Sequence, residues 1–404
     1  MKLTPFMLLC TTGLFAIFSS TISKSPVLPL FTSYLGADPA KVGMVAAVSA
    51  FTGIVASIPA GILSDRLGRR RMLIFSAIVF ASAPFLYLLV TNIYQLAAIR
   101  FYHGLATAVF VPVSMALVSD LFQKERGEKI GWFSTSTLAG RFMAPLIGGA
   151  IIGAMVINPG FSYKIVYIVC GITGVLVLLL AVRIQDSDEH INNKRSWAET
   201  ADIFKTVISN RGILITSAVE AAILFAYGTF ETFLPLYSIK AGISAYEIGI
   251  FLSSQVITLA LTKPVMGKFS DKHGREPQIF AGAIIGAVCI GGFSMFKSFI
   301  PLLGLSILFG LSLSIVTSAT SALIADLSMQ ENCGSAMGVL GSIMDIGHTT
   351  GPLIAGIVAA YFGFTQSFLT ASFVVIVFAF LFRIGFVKGK AKADTVAGRI
   401  SSES

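Results

Sequence analysis

Apolar runs long enough to cross a hydrocarbon core of about 30 Å, each needing about 20 residues, recur along the whole 404-residue chain. Twelve are legible, over residues 6–31, 42–64, 72–91, 94–122, 130–155, 162–183, 212–238, 246–267, 278–296, 299–327, 334–360 and 364–386. A chain that is 55% hydrophobic and 12% charged has too little polar surface to cover water-soluble domains of this size. The expected fold class is therefore an all-α integral membrane protein with twelve transmembrane helices. The first run continues past 20 residues into further spans, so it reads as a retained helix and not a cleaved signal peptide.

The net charge of +9 invites a nucleic-acid partner until the cations are placed. With the N-terminus inside, 21 Lys/Arg fall on the cytoplasmic side, four (Lys41, Lys164, Lys240, Lys297) outside, and four (Lys24, Arg100, Arg141, Lys263) within spans. This positive-inside pattern makes the lipid bilayer the partner, not nucleic acid, and puts both termini in the cytoplasm of a cell that carries the chain in its cytoplasmic (inner) membrane. Cys10, Cys170, Cys289 and Cys333 show no CxxC spacing and no nearby histidine cluster. They read as packing residues, with no metal and no cofactor implied.

One long polar stretch, Arg183 to Arg211, separates two sets of six spans. The expected organisation is an N-terminal bundle over 1–183, a cytoplasmic linker over 184–211, a C-terminal bundle over 212–387 and a basic cytoplasmic tail over 388–404. The halves align. Gly61 and Gly267, Asp65 and Asp271, Pro29 and Pro235, and Asp120 and Asp326 are each 206 apart; Gly131/Gly338, Gly140/Gly347 and Pro145/Pro352 are 207 apart. A near-constant offset across four spans indicates an internal repeat.

"GILSDRLGRR" (Gly61 to Arg70) thus returns as "GKFSDKHGRE" (Gly267 to Glu276), each on a short turn after an even-numbered span. A basic stop signal explains the cations but not the matched Gly, Asp and Gly. Gly61 would let two helices approach closely, and Gly68 permits the tight turn. Asp65 is placed to bind a neighbouring helix N-terminus or a cation on another loop, a contact that breaks when the halves rock.

On these residues the chain resembles the major facilitator superfamily and, within it, the twelve-span drug:proton antiporters. Gly61 to Arg70 matches the superfamily's loop between spans 2 and 3. "LAAIRFYHGLATA" (Leu96 to Ala108) is similar to the span 4 motif whose arginine, here Arg100, is implicated in proton coupling. "GWFSTSTLAGRFMAPLIGG" (Gly131 to Gly149) is similar to the span 5 antiporter motif, with Ala144 where glycine is usual before Pro145 and Arg141 where an uncharged residue is usual. Span 11 carries Gly351 and Pro352 intact, and "SPVLP" (Ser25 to Pro29) is like the proline pair ending span 1 in these exporters. The resemblance implies two pseudo-symmetric six-helix bundles and a secondary transporter working as a monomer. It implies conformational gating by Gly61, Asp65, Arg66, Gly68 and Arg69, by Gly267, Asp271, Gly274 and Arg275, and by Gly140, Pro145, Gly351 and Pro352.

The repeat also sorts charges. Asp120 and Asp326 match each other near helix ends, which suits the shared scaffold. Charges present in one half are candidates for chemistry: Lys24 corresponds to Phe230, Arg100 to Ser306, Arg141 to His348, Glu220 to Leu14, Glu231 to Ser25, and Asp345 to Leu138. A charge at mid-bilayer costs at least about 2.5 kcal/mol, so these residues face a wet cavity or a partner. Lys263, near a span end, can snorkel. Glu220 and Glu231 are 11 residues apart and share one face of span 7; Asp345 and His348 share a face of span 11. Lys24 and Glu231 lie at nearly the same depth and are placed to meet. The expected substrate-binding residues are Lys24, Arg141 and Glu231, for a molecule with an anionic or zwitterionic group. The expected proton-coupling residues are Asp345, Glu220, Arg100 and His348. Static ion pairing for the charges, and a scaffold hydrogen bond for His348, are the alternatives.

The leading functional expectation is proton-coupled efflux of a small amphiphilic molecule by alternating access. The runner-up is a proton-coupled importer of an organic anion or sugar. A membrane enzyme or non-transporting receptor would need a phosphate-binding loop, a metal cluster or a large soluble domain that the sequence does not contain.

Overall fold

A computed structural model describes residues 4–122, 124–184, 209–328 and 333–403. The expected linker falls almost wholly outside these residues, as do the side chains of the 388–404 tail. Lipid offers the backbone no hydrogen bonds, so each crossing must satisfy its own N–H and C=O groups internally. Among the described residues twelve helical spans do this: span 1 (Pro5–Tyr34), 2 (Pro39–Ser57), 3 (Arg69–Leu89), 4 (Ile93–Leu121), 5 (Arg126–Ala154), 6 (Pro159–Ala181), 7 (Arg211–Lys240), 8 (Ala245–His273), 9 (Arg275–Met295), 10 (Phe299–Leu327), 11 (Val339–Phe362) and 12 (Phe364–Phe386).

Polar residues at the span ends serve the first-turn N–H groups that a helix leaves open. Asp38 accepts from the Lys41 amide at 3.0 Å, and Asn92 from the Gln95 amide at 3.0 Å. Ser244 and Glu247 form a capping box. The Lys41 amide and ammonium together hold the Asp38 carboxyl below its ordinary range. At the two repeated turns Gly68 (φ 95°) and Gly274 (φ 90°) take backbone angles that side chains resist, and the next helix starts at once with Arg69 or Arg275.

Span 1 alone departs from its counterpart. It breaks between the helices Pro5–Ile22 and Val27–Tyr34, whereas span 7 is one helix, Arg211–Lys240. Proline in a helix interior removes an N–H and collides with the carbonyl four residues earlier, and Pro26 stands where span 7 has Thr232. Lys24 therefore sits in a short non-helical break.

Packing within the halves follows the repeat. Span 1 packs on 5 and 6, 2 on 4, and 3 on 4 and 6; correspondingly 7 packs on 11 and 12, 8 on 10, and 9 on 10 and 12. The halves meet through spans 2 and 11 and through spans 5 and 8. These crossings are made of glycine near the end opposite the repeated turns. A Cβ at Gly43 would strike the Pro352 carbonyl, one at Gly149 the Ala245 carbonyl, and one at Gly249 the Pro145 carbonyl. At the turn-bearing end the situation reverses: a Cβ at Gly61, Gly131, Gly267 or Gly341 would meet nothing within 4 Å. The sequence expectation that Gly61 brings two helices together is corrected accordingly, because the halves have parted there. The apolar core agrees. One cluster crosses between the halves, from Phe31 to Phe233, while the turn-bearing end divides into separate clusters around Phe110 and Ile324. The molecule is closed at one end and open at the end that carries the repeated turns.

Gly149→Val and Gly249→Val should each cost about 1–3 kcal/mol by overpacking these crossings and lower the melting temperature in detergent. Gly267→Ala, whose Cβ has free space, should leave the melting temperature unchanged or raise it.

Candidate transport cavity

Between the halves lies a cavity of about 830 Å³. Its apolar wall includes Ile54, Val111, Met115, Leu252 and Val256, and its charged lining brings together Lys24, Arg100, Arg141, Glu231, Asp345 and His348. The break in span 1 delivers Lys24 to the cavity, where Nζ stands 2.7 Å from Glu231 Oε2 on span 7. His348 on span 11 closes a triad, with Nε2 3.3 Å from Lys24 Nζ and 3.4 Å from Glu231 Oε2. That nitrogen accepts from the lysine when bare and donates to the carboxylate when it carries hydrogen. The Tyr227 ring covers His348 at 5.4 Å between centroids. The triad joins the two halves through charged side chains, since Lys24 belongs to one and Glu231 and His348 to the other.

Arg100 is buried without a carboxylate. It donates to Ser49 Oγ at 2.8 Å and to Ser23 Oγ and Tyr87 Oη at 3.4 Å. Its Nε has no partner among the described residues. Arg141 is exposed to the cavity and makes no hydrogen bond or ion pair among the described residues. Asp345 lines the cavity one turn from His348 and approaches span 2, where a Cβ on Gly53 would lie 3.3 Å from its Oδ2.

Glu220 is placed differently from the expectation. It is buried, accepts a short hydrogen bond from Thr320 on span 10, and is absent from the cavity wall. The helical repeat does set Glu220 and Glu231 on similar azimuths, but span 11 lies directly on the backbone of span 7 beside Glu220, and only Glu231 lines the cavity. There a Cβ on Gly347 would strike the Ala221 carbonyl and one on Gly351 the Phe225 carbonyl. Gly140 plays the matching part on span 5 against the Leu14 carbonyl, and Pro145 is buried beside it.

The repeated turns form two equivalent clusters. Arg69 binds Asp65 at 2.5 Å and Asp120 at 3.1 Å; Arg275 binds Asp271 at 2.8 Å and makes a short contact to Asp326. Asp65 thus pairs within its own turn, not with a helix N-terminus or another loop. The arginine ties that turn to the end of span 4, as its counterpart ties the second turn to span 10. Arg66 is exposed.

His103 was not visible as a site residue. It lines the cavity three residues after Arg100, its Nδ1 lies 3.4 Å from Tyr87 Oη, and its buried Nε2 has no partner among the described residues. The i, i+3 spacing from Arg100 was the available signal. Tyr227, Ser49 and Gln255 also line the cavity, and no sequence signal separates them from packing residues. Cys10, Cys170 and Cys289 are free thiols.

The comparisons with known proteins fit this architecture. The family model of the Major Facilitator Superfamily matches residues 9–254 and 240–402, and the chain belongs to that family. Relatives include an uncharacterized MFS-type transporter of Methanocaldococcus jannaschii, 23% identical over 87% of this chain and 91% of the relative. Multidrug resistance protein MdtG of Enterobacter lignolyticus is 26% identical over 87% of this chain and 85% of its own. Multidrug resistance protein 2 of Bacillus subtilis is 23% identical over 87% and 88%. Among solved structures, a mutant of the nucleoside transporter NupG superposes with a TM-score of 0.82 over 95% of this chain and 100% of that one, at 14% identity. A bacterial homolog of the human lysosomal transporter Spinster gives 0.80 over 95% and 97%, at 16% identity. The fold is therefore that of the major facilitator transporters, and the chain is a multi-pass transporter of this superfamily.

Asp65→Asn weakens a turn that lies well away from the cavity charges. It should slow transport while leaving equilibrium substrate affinity within a few-fold, as measured by parallel binding and flux assays on the purified, reconstituted protein. Loss of binding in a well-folded variant would contradict that role.

Proposed function

We propose that this chain is a proton-coupled exporter of small amphiphilic molecules bearing an anionic or zwitterionic group, working by alternating access as a monomer in the cytoplasmic membrane, with both termini in the cytoplasm. The observation that carries the substrate reading is the charge of the cavity: three cations, Lys24, Arg100 and Arg141, against two carboxylates, Glu231 and Asp345. A neutral lipophile would need none of them. A substrate anion offers Lys24 an alternative to Glu231, and exchange of one carboxylate for another avoids leaving a desolvated ammonium unpaired. The apolar wall suits the rest of an amphiphile.

Efflux is supported by the span 5 motif and by the multidrug resistance proteins among the relatives. The second reading is a proton-coupled importer of an organic anion or sugar, and the observation behind it is that a nucleoside transporter shares this fold. Comparing accumulation of candidate compounds in expressing and non-expressing cells separates the two. For coupling, Asp345 is the carboxylate we assign, since it lines the cavity, bears no ion pair among the described residues, and lies one turn from His348. A proton on His348 turns its acceptor toward Lys24 into a donor toward Glu231, which links protonation to the triad that substrate must open. Arg100 supplies a fixed cation nearby.

Two outcomes are expected. In reconstituted vesicles, transport should follow an imposed pH gradient, and Asp345→Asn should abolish that drive while substrate exchange at equal pH persists. Undiminished gradient-driven transport in Asp345→Asn would remove this carboxylate from the mechanism. Lys24→Ala should weaken an anionic substrate strongly, Lys24→Arg should retain partial activity, and the double variant Lys24→Ala with Glu231→Gln should stay inactive. Normal transport by that double variant would reduce Lys24 to a neutraliser of Glu231.

A further inference from the structure

The repeat singles out one uncharged polar residue on the cavity wall that the C-terminal half contributes. Gln255 on span 8 corresponds to Ser49 on span 2, at the offset of 206. The two stand at equivalent points of equivalent crossings. A Cβ on Gly104 of span 4 would lie 3.2 Å from the Ser49 Cα, and one on Gly310 of span 10 would lie 3.1 Å from the Gln255 Cα. What stands beside them differs. In the first half Arg100, one turn before Gly104, donates to Ser49 Oγ at 2.8 Å. In the second half the matching residue is Ser306, whose hydroxyl turns back to the Leu302 carbonyl at 2.8 Å.

Gln255 is therefore left without a hydrogen-bond partner among the described residues, although it is only 2% exposed. It lines the cavity between Leu252 and Val256, and neither atom of its amide is sealed off. Its polar neighbours on span 8 are already engaged, Ser253 with the Phe142 carbonyl and Ser254 with the Ile250 carbonyl. Ser76, Ser114 and Ser314 also lack partners, but those hydroxyls are sealed in helix packing and line no part of the cavity. A side-chain amide offers donors and an acceptor on one planar edge, and leaving a desolvated one unserved is costly.

A solute that enters the cavity displaces water from this edge and gains affinity only by reproducing its hydrogen bonds. A ketone meets the donor side alone. A carboxamide meets both sides in one plane, accepting from Nε2–H and donating to Oε1. We propose that Gln255 is a specificity-determining residue that selects substrates carrying a primary carboxamide, or the same donor–acceptor edge of a ring amide, in addition to the anionic group. This rests on the reading of the cavity as a site for an amphiphilic anion. Lys24 on the first half takes the carboxylate, Gln255 on the second takes the amide, and the apolar wall covers the chain between them. A few placed polar groups in an apolar pocket fix orientation in this way. A pocket built to hydrogen-bond a group also rejects the analogue that lacks it, because its own polar atoms then go unpaired.

The test uses the purified full-length protein and three isosteric acids, 8-carbamoyloctanoate, 9-oxodecanoate and 9-methyldecanoate. They share a carboxylate and a chain and end in a carboxamide, a methyl ketone or an isopropyl group. Gln255→Met keeps the side-chain length without the amide. It should weaken calorimetric binding of the carboxamide acid by about fivefold or more, weaken the ketone acid less, and leave the isopropyl acid unchanged or tighter, at an unchanged melting temperature. If it fails to fold, Gln255→Ser, the residue that the first half holds at the matching place, carries the same expectation. An equal change for all three acids, or no change, overturns the role. So does failure of the unaltered protein to bind the carboxamide acid up to about 10 mM, beyond a millimolar Kd. Lys24→Ala keeps the two readings apart, since it should weaken all three acids equally through their shared carboxylate. Discrimination through Gln255 with no effect of Lys24→Ala would remove the anion site and leave the amide site standing; the converse would remove Gln255 alone.

Discussion

The contact on which the rest of the cavity depends is the ammonium of Lys24 against the carboxylate of Glu231. Two charges withdrawn from bulk water are expensive singly, and their attraction repays that cost only when geometry is good and further partners complete the hydrogen bonding. Here the completion comes from His348, and the geometry comes from proline. Pro26 breaks span 1, so Lys24 projects from a short non-helical segment instead of following a helical azimuth. Span 7, with threonine at the matching place, stays one helix and presents Glu231 to the same ammonium. The pair crosses from one half to the other, so the halves cannot separate around it without finding each charge a new partner. That requirement links what occupies the cavity to how the two bundles stand.

Much of this could be read from the chain. Twelve apolar runs and a constant offset between landmarks are coarse signals that survive any detail of packing, and the spans, the turns and the division into six and six follow from them. The meeting of Lys24 and Glu231 was legible for a related reason: the repeat assigns depth, and two opposite charges at one depth on facing helices have few alternatives. Glu220 shows where that logic stops. Its depth and azimuth were known, but which neighbour covers that part of span 7 depends on Gly347 and Gly351 letting span 11 lie directly on the backbone of span 7. Close approach between two glycine-containing helices is a property of a pair, and no single helix announces it. The hydroxyl partners of Arg100 were hidden likewise, because Ser23, Ser49 and Tyr87 come from three different spans and each is an ordinary residue in its own.

The repeat and its exceptions divide the labour. Arg69 with Asp65 and Asp120, and Arg275 with Asp271 and Asp326, are the same construction made twice, and each stays inside its own half. Such a clamp fixes the turn to a second helix, so the turn travels with its bundle. Of the exceptions, Lys24, Arg100, Arg141, Glu231, Asp345 and His348 collect in one cavity, and Glu220 alone is buried away from it. Duplication supplies a symmetrical frame, and substitution in one copy only supplies the chemistry.

The glycine crossings have a mechanical consequence. Gly149 and Gly249 bring spans 5 and 8 into backbone contact close to the sealed end, and Gly43 and Gly356 do the same for spans 2 and 11. A joint so near one end makes each bundle a lever with very unequal arms. Gly267 lies 18 residues beyond Gly249 on span 8, about 27 Å at helical rise, so a tilt of about 10° at the joint sweeps the far end through about 5 Å. The short arm needs only a fraction of that travel. Small residues at the fulcrum, where a single methyl group would jam the bearing, are the condition for a wide stroke at the mouth.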